Sequence, residues 1–170
     1  MQHLKLYCLD EKYIDYLRQS DKRVPYNKNQ TRPYVGVVYN YNNFTYFAPL
    51  SSPKPKHAKM NSRNIDIFKI CDGKLGIVNL NNMIPVPPQS LIDFLPNITD
   101  VKYKALLNEQ ITELNSNKKY LLKKVELFQW SYRNNKLPQN VLLRTCNFEL
   151  LEQKCLDYQK SFIWIWYNRW

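Results

Sequence analysis

The chain has 170 residues, with 25 Lys and Arg against 14 Asp and Glu, for a formal net charge of +11. That length buries one core and leaves no room for a second domain or a large cofactor module. The 44% hydrophobic content, with 13 Tyr, 7 Phe and 4 Trp, excludes a disordered chain, and the positive excess makes a polyanion the expected partner.

In chain order, His3–Leu9 alternates apolar and polar positions and predicts a strand. Glu11–Gln19 sets Tyr13, Ile14, Tyr16 and Leu17 at helical spacing. Val24–Thr31 reads as a polar loop. Pro33–Tyr41 and Phe44–Leu50 are β-branched and aromatic, and Asn42-Asn43 between them predicts a hairpin turn. Ser51–Ser62, with prolines at 53 and 55, reads as an exposed basic loop without regular structure. Ile65–Ile70 and Leu75–Leu80 predict strands around an Asp72-Gly73 turn, and Met83–Val86 a shorter one. The period then changes: Asp100–Asn115, Asn117–Asn134 and Asn147–Phe162 carry apolar residues at three- and four-residue intervals and predict helices. Sheet early and helices late make an α+β domain over residues 1–170, with the aromatic tail 163–170 peripheral.

Four cysteines, Cys8, Cys71, Cys146 and Cys155, lie far apart with no CxxC, so neither a zinc site nor a disulfide framework is expected. Cys146 reads as a buried residue beside a helix cap at Asn147. With charges interrupting the N-terminal apolar run and no stretch long enough to span a bilayer, a cytoplasmic protein is expected.

The charge is concentrated. From Lys22 to Ile65 there is no acid, while Lys22, Arg23, Lys28, Arg32, Lys54, Lys56, Lys59 and Arg63 are all basic. Tyr26, Tyr34, Tyr39, Tyr41, Phe44, Tyr46 and Phe47 are interleaved with them. Cations beside flat π surfaces suit single-stranded nucleic acid, although the same aromatics can serve as core positions of strands. Lys118-Lys119 and Lys123-Lys124 on a helix are either a solvated face or a second RNA contact.

The segment Ala48–His57, APLSSPKPKH, is where chemistry is expected. It leaves a strand with two adjacent hydroxyls, cations, and no carboxylate before Asp66, a poor donor set for a hard divalent metal. Asp66 reads as exposed or hydrogen-bonded. Metal-free RNA cleavage uses the substrate's own 2′-hydroxyl as nucleophile, so the protein must move protons and stabilise a phosphorane. Lys54 can supply charge, and Ser51 and Ser52 can bond to non-bridging oxygens or relay a proton; a solvated basic loop with turn serines is the alternative. Ser51-Ser52-Pro53-Lys54 also matches the SxxK pattern of penicillin-binding proteins, but the prolines oppose the required helix, KTG is absent, and the chain is too short.

The ordered segments KYIDYL, RVP, PYVGVV, YFAPLSSPKPKH, GKLGIVNLNNMIPV and CNFELLEQK resemble the type III toxin–antitoxin endoribonucleases, the ToxN/AbiQ family, from about Leu6 to Lys160. The resemblance implies a compact, bent antiparallel sheet flanked by helices, similar to the MazF/Kid toxin core. It also implies a metal-independent, cofactor-free endoribonuclease that cuts adenine-rich transcripts and leaves a 2′,3′-cyclic phosphate. The family's catalytic serine falls on Ser52 and its lysine on Lys54, with Ser51 preceding; Tyr26 is the nearest candidate for a contributing loop tyrosine. The RNA-binding set expected from the charge pattern is Lys22, Arg23, Lys28, Arg32, Lys56, His57, Lys59, Arg63, Lys118 and Lys119. The implied partners are substrate mRNA and a small repeat-derived RNA that folds as a pseudoknot and builds closed ring-like assemblies with the toxin, in abortive infection against phage. A non-catalytic RNA-binding regulator, or a ribonuclease neutralised by a protein, would share the basic surface.

Overall fold

The computed structural model describes residues 3–93 and 98–167, the last six as backbone. Strands β1 (Lys5–Leu9), β2 (Tyr34–Tyr41), β3 (Phe44–Ser51), β4 (Ile67–Lys69), β5 (Ile77–Asn79), β6 (Ile84–Pro85) and β7 (Leu91–Asp93) are joined in the described residues by helices α1 (Glu11–Ser20), α2 (Pro55–Lys59), α3 (Val101–Ser116), α4 (Lys118–Arg133), α5 (Gln139–Leu142) and α6 (Phe148–Tyr167). Among the described residues all strand pairings are antiparallel, in the order β4-β5-β3-β2-β1-β7, with β6 also beside β3. The α+β expectation holds.

The longest pairing is the β2–β3 hairpin, turned at Asn42-Asn43, both in the left-handed region that asparagine tolerates. One edge of β3 pairs with β2. The other is divided: Tyr46 and Phe47 face Pro85 and Ile84 of β6, whereas Leu50 and Ser51 face Val78 and Ile77 of β5. This division brings the Leu75–Asn79 segment to the end of β3. Tyr46–Leu50 is buried without alternation, as befits a strand covered on both faces.

Helix ends follow the sequence closely. Asp10 caps α1 by accepting from the Lys12 and Tyr13 amides, and Asp100 caps α3 by accepting from Lys102 and Tyr103. Asn147 Oδ1 accepts from Leu150 N at 3.0 Å, the expected cap of α6, and Cys146 beside it is fully buried. Buried residues from Leu4 to Cys155 join one hydrophobic cluster. Among the described residues no helix is long and apolar enough to cross a membrane.

Three expectations change. The 51–62 segment is not wholly irregular: Pro55 stands at the start of α2, where its missing N–H has no bond to make. The strands expected through Ile70 and from Leu75 are cut short, because Cys71, Asp72 and Gly73 take positive φ and turn the chain after Lys69. Strand β7 and helix α5, too short to show a period, appear where tertiary pairing and packing hold them. The reading of the aromatic tail falls on residues 162–170, whose side chains lie outside the described residues.

Candidate active site

The site begins where β3 ends. Asn79 of β5 donates through Nδ2 to Ser51 Oγ (3.0 Å) and to the Pro49 carbonyl (3.2 Å), so the first serine is held by the neighbouring strand. Gly76, at φ +101, lies against the Ser51 carbonyl; a Cβ there would stand 2.1 Å from that oxygen. The APLSSPK and LGIVNLN segments, 20-odd positions apart in the chain, thus meet at Ser51. Ser52 and Lys54 are exposed beyond it. Lys54 is extended, at φ −142 and ψ 146, and its carbonyl accepts from His57 N (2.8 Å) as α2 begins.

Opposite stands the Asn27–Pro33 loop. Lys28, Asn29 and Gln30 take φ of 56, 54 and 61, three successive left-handed residues. Each costs about 1–2 kcal/mol for an ordinary side chain, so the turn requires support. Glu11 provides it: Oε2 accepts from Gln30 N and from Asn27 Nδ2, both at 2.9 Å, and that amide also donates to the Leu9 carbonyl (2.7 Å). Thr31 Oγ1 donates to the Lys28 carbonyl (2.7 Å). The result brings Lys28, Thr31 and Arg32 across from Ser51, Ser52 and Lys54 around a cavity of about 400 Å³, with Tyr103 of α3 also on its wall. Among the described residues no carboxylate lines it. Three cationic side chains and four hydroxyl side chains around an open cavity can hold a phosphodiester and stabilise added negative charge on it.

Of the residues expected from sequence, Ser51, Ser52, Lys54, Lys28 and Arg32 are brought together. Tyr26 is not. Its ring is 70% exposed and carries the Arg18 guanidinium 3.4 Å from its centroid, and only its carbonyl reaches the site's residues, accepting from Arg32 Nε (2.6 Å). His57, expected on the RNA surface, is 1% exposed, turned inward by α2 against the Ile70–Gly73 turn, where a Cβ on Gly73 would lie 2.6 Å from the His57 carbonyl. Burial, then the charges of Lys56 and Lys54, push its imidazole below the usual histidine value and keep it neutral.

Arg23 is engaged with Asp21, to which it donates through Nε (2.9 Å) and Nη2 (3.1 Å). Burial raises the Asp21 carboxyl, but hydrogen bonds from Arg23 and from the Asn147 amide outweigh it and hold the group below its ordinary value. Lys22, Lys56, Lys59 and Arg63 are exposed away from the cavity; Lys119 is exposed and Lys118 half-buried at the start of α4. Asp66 is hydrogen-bonded, as one expected alternative had it, to Arg144 Nε (2.7 Å), but buried at 4%. The interleaved aromatics resolve as strand core: Tyr34, Tyr46 and Phe47 are buried, Tyr39, Tyr41 and Phe44 half-buried. Sequence reasoning missed Thr31, Asn79, Glu11 and Tyr103. Asn79 lies inside a segment already singled out, while Glu11 and Tyr103 reach the site only through the fold.

An α+β chain with this cation- and hydroxyl-lined cavity at the end of its central hairpin has clear relatives. The family model described as Toxin ToxN, type III toxin–antitoxin system, matches residues 5–156, and the chain belongs to that family. Endoribonuclease ToxN of Pectobacterium atrosepticum is 32% identical over 169 residues, covering 93% of this chain and 95% of that protein. The solved structure of AbiQ, a lactococcal anti-phage endoribonuclease of a type III toxin–antitoxin system, superposes with a TM-score of 0.81 at 30% identity, over 94% of this chain and 99% of that one. A second, from work on selective toxin inhibition by a non-coding RNA pseudoknot, gives 0.74 at 31% identity, over 93% and 99%.

Proposed function

We propose that this protein is a metal-independent endoribonuclease toxin that acts in the cytoplasm as one domain, cutting single-stranded, adenine-rich RNA by attack of the 2′-hydroxyl to leave a 2′,3′-cyclic phosphate. The observation that carries the reading is the convergence of Ser52 and Lys54 with Lys28 and Arg32 around one cavity whose lining holds no carboxylate. A phosphorane carries more negative charge than the bound phosphodiester, so cations fixed before reaction favour the transition state. Lys54 and Arg32 supply that charge from opposite sides; Ser52 orients a non-bridging oxygen or passes a proton, and Ser51, held by Asn79, supports it. The bent antiparallel sheet behind the site belongs to the same reading as a core of the MazF/Kid kind.

The partner in this reading is a small repeat-derived RNA, folded as a pseudoknot, that the toxin processes and that inhibits it in a closed ring-like assembly, releasing it against phage. Support comes from the relatives, one an anti-phage endoribonuclease and one described with an inhibitory RNA pseudoknot, and from Lys56, Lys59 and Arg63, which are exposed outside the cavity and add to its cations.

The test is end analysis of cleaved RNA. New 2′,3′-cyclic phosphate ends, formed equally in EDTA, are expected; 3′-hydroxyl ends or a strict magnesium requirement would overturn the chemistry. A regulator that merely binds RNA would produce no new ends.

A further inference from the structure

Beside the cationic cavity lies a second one, of about 340 Å³. The two share Thr31 and Tyr103, and the Tyr103 hydroxyl donates to the Thr31 carbonyl at 3.5 Å, tying α3 to the left-handed turn. Their chemistry differs. The first is lined by three cations; the second has none among the described residues, and its walls include Ile92, Ile98, Tyr103 and the Cys8 thiol. That thiol donates to the Gln30 carbonyl, and burial pushes its pKa up to about 12, so it stays a neutral wall. Besides Gln30 and Thr99, two carboxylates line it: Asp100, one of whose oxygens caps α3, and Asp93, exposed at the end of β7.

A nucleotide has the same two halves, an anionic phosphate joined to a flat, largely apolar base. Adjoining cavities, one cationic and one apolar with an aromatic wall, match them in order. The carboxylates sharpen the match. An exocyclic amino group offers a carboxylate two N–H donors, whereas uracil offers one N3–H set between two carbonyl oxygens that repel it.

We infer that this second cavity is a nucleobase subsite: it takes the base of one nucleotide flanking the cleaved phosphodiester, sets it against Tyr103, and through Asp93 favours bases that bear an exocyclic amino group over uracil. The inference rests on the ribonuclease reading above.

The test uses the whole protein and short single-stranded oligoribonucleotides with one cleavable bond, carrying A, C, G or U at the nucleotide on either side. At one of the two positions, kcat/KM for A or C should exceed that for U by about tenfold, the discrimination one good base contact supplies. Asp93→Lys, at an exposed position whose replacement leaves the core untouched, should bring that ratio to within about twofold, and Tyr103→Ala should raise KM at the same position while Tyr103→Phe retains the parent value. Cleavage with the four-base ranking unchanged in Asp93→Lys and Tyr103→Ala at both positions would overturn the subsite and leave the ribonuclease reading intact. Failure of the parent protein to cut any of the oligonucleotides would overturn both.

Discussion

Lys54 is exposed in a cavity where no carboxylate competes for its charge, and its backbone is fixed by the start of α2. In the proposed reaction, removing that charge deprives the phosphorane of a preorganised cation. Lys54→Ala is expected to lower kcat by about 10²–10³ with the circular dichroism spectrum unchanged, and to be tolerated by cells lacking the RNA partner; growth arrest as strong as the parent's would remove Lys54 from the mechanism. One turn away, His57 is buried and its Nδ1 finds no partner among the described residues. Burial lowers its pKa from 6.5, so below that value the unfolded chain binds a proton the folded one resists. Stability is therefore full above about pH 6.5 and declines as pH falls through it. Melting temperatures at pH 7.5 and 5.5 should show this loss, and His57→Leu should reduce it.

At the scale of elements, the site is assembled from one strand end, one helix start and one strained turn. The turn depends on Glu11, whose carboxylate gathers Gln30 N and Asn27 Nδ2. Glu11→Ala leaves these donors without that acceptor and frees the 28–30 backbone, at a cost of about 1–3 kcal/mol. Because Lys28 and Arg32 line the cavity from this turn and hold the RNA in the proposed reaction, KM is expected to rise more than kcat falls, as steady-state kinetics on one oligonucleotide would show; the reverse split would make Glu11 part of the chemical step. On the other side, Gly76→Ala forces a methyl group toward the Ser51 carbonyl and strains a backbone at φ +101. Loss of both activity and several degrees of melting temperature is expected, since β5 must shift from β3.

Across the whole molecule the charge of +11 divides by duty. Some cations are structural: Arg133 joins Glu152, Arg144 joins Asp66, Lys69 holds the Ala58 and Met60 carbonyls, and Lys124 holds that of Ser62. Others are left for a polyanion. If the cavity's three cations alone engage single-stranded RNA, log K against log salt has a slope near −2, about twentyfold between 50 and 200 mM. A steeper slope, measured by anisotropy with Lys54→Ala corrected for its missing charge, would bring in Lys56, Lys59 and Arg63. A slope near zero would contradict an RNA surface here.

Much of this was legible along the chain. Apolar periodicity gave the hairpin and three long helices within a residue or two at most ends, and Asn147 marked a cap. The acid-free window and the two adjacent serines pointed to the end of β3. Those are local signals, written in spacing and residue type. Glu11 and Tyr103 carry no such mark, because their part comes from contacts with Gln30 and Thr31 far along the chain. Nor did charge type reveal that His57 turns inward, or that most of the interleaved aromatics serve the core: basic and aromatic residues look alike in sequence whether they face solvent or pack, and only burial separates them.

By itself, then, the sequence determined the polyanion-seeking charge, the α+β order of elements and the serine–lysine segment, since these depend on composition and on neighbours in the chain. The tertiary structure decided which cations surround that segment, what supports the left-handed turn, and that a second cavity, without a cation among the described residues that line it, adjoins the first. Those depend on distances between residues remote in sequence, which only the closure of the sheet and the packing of α3 bring together.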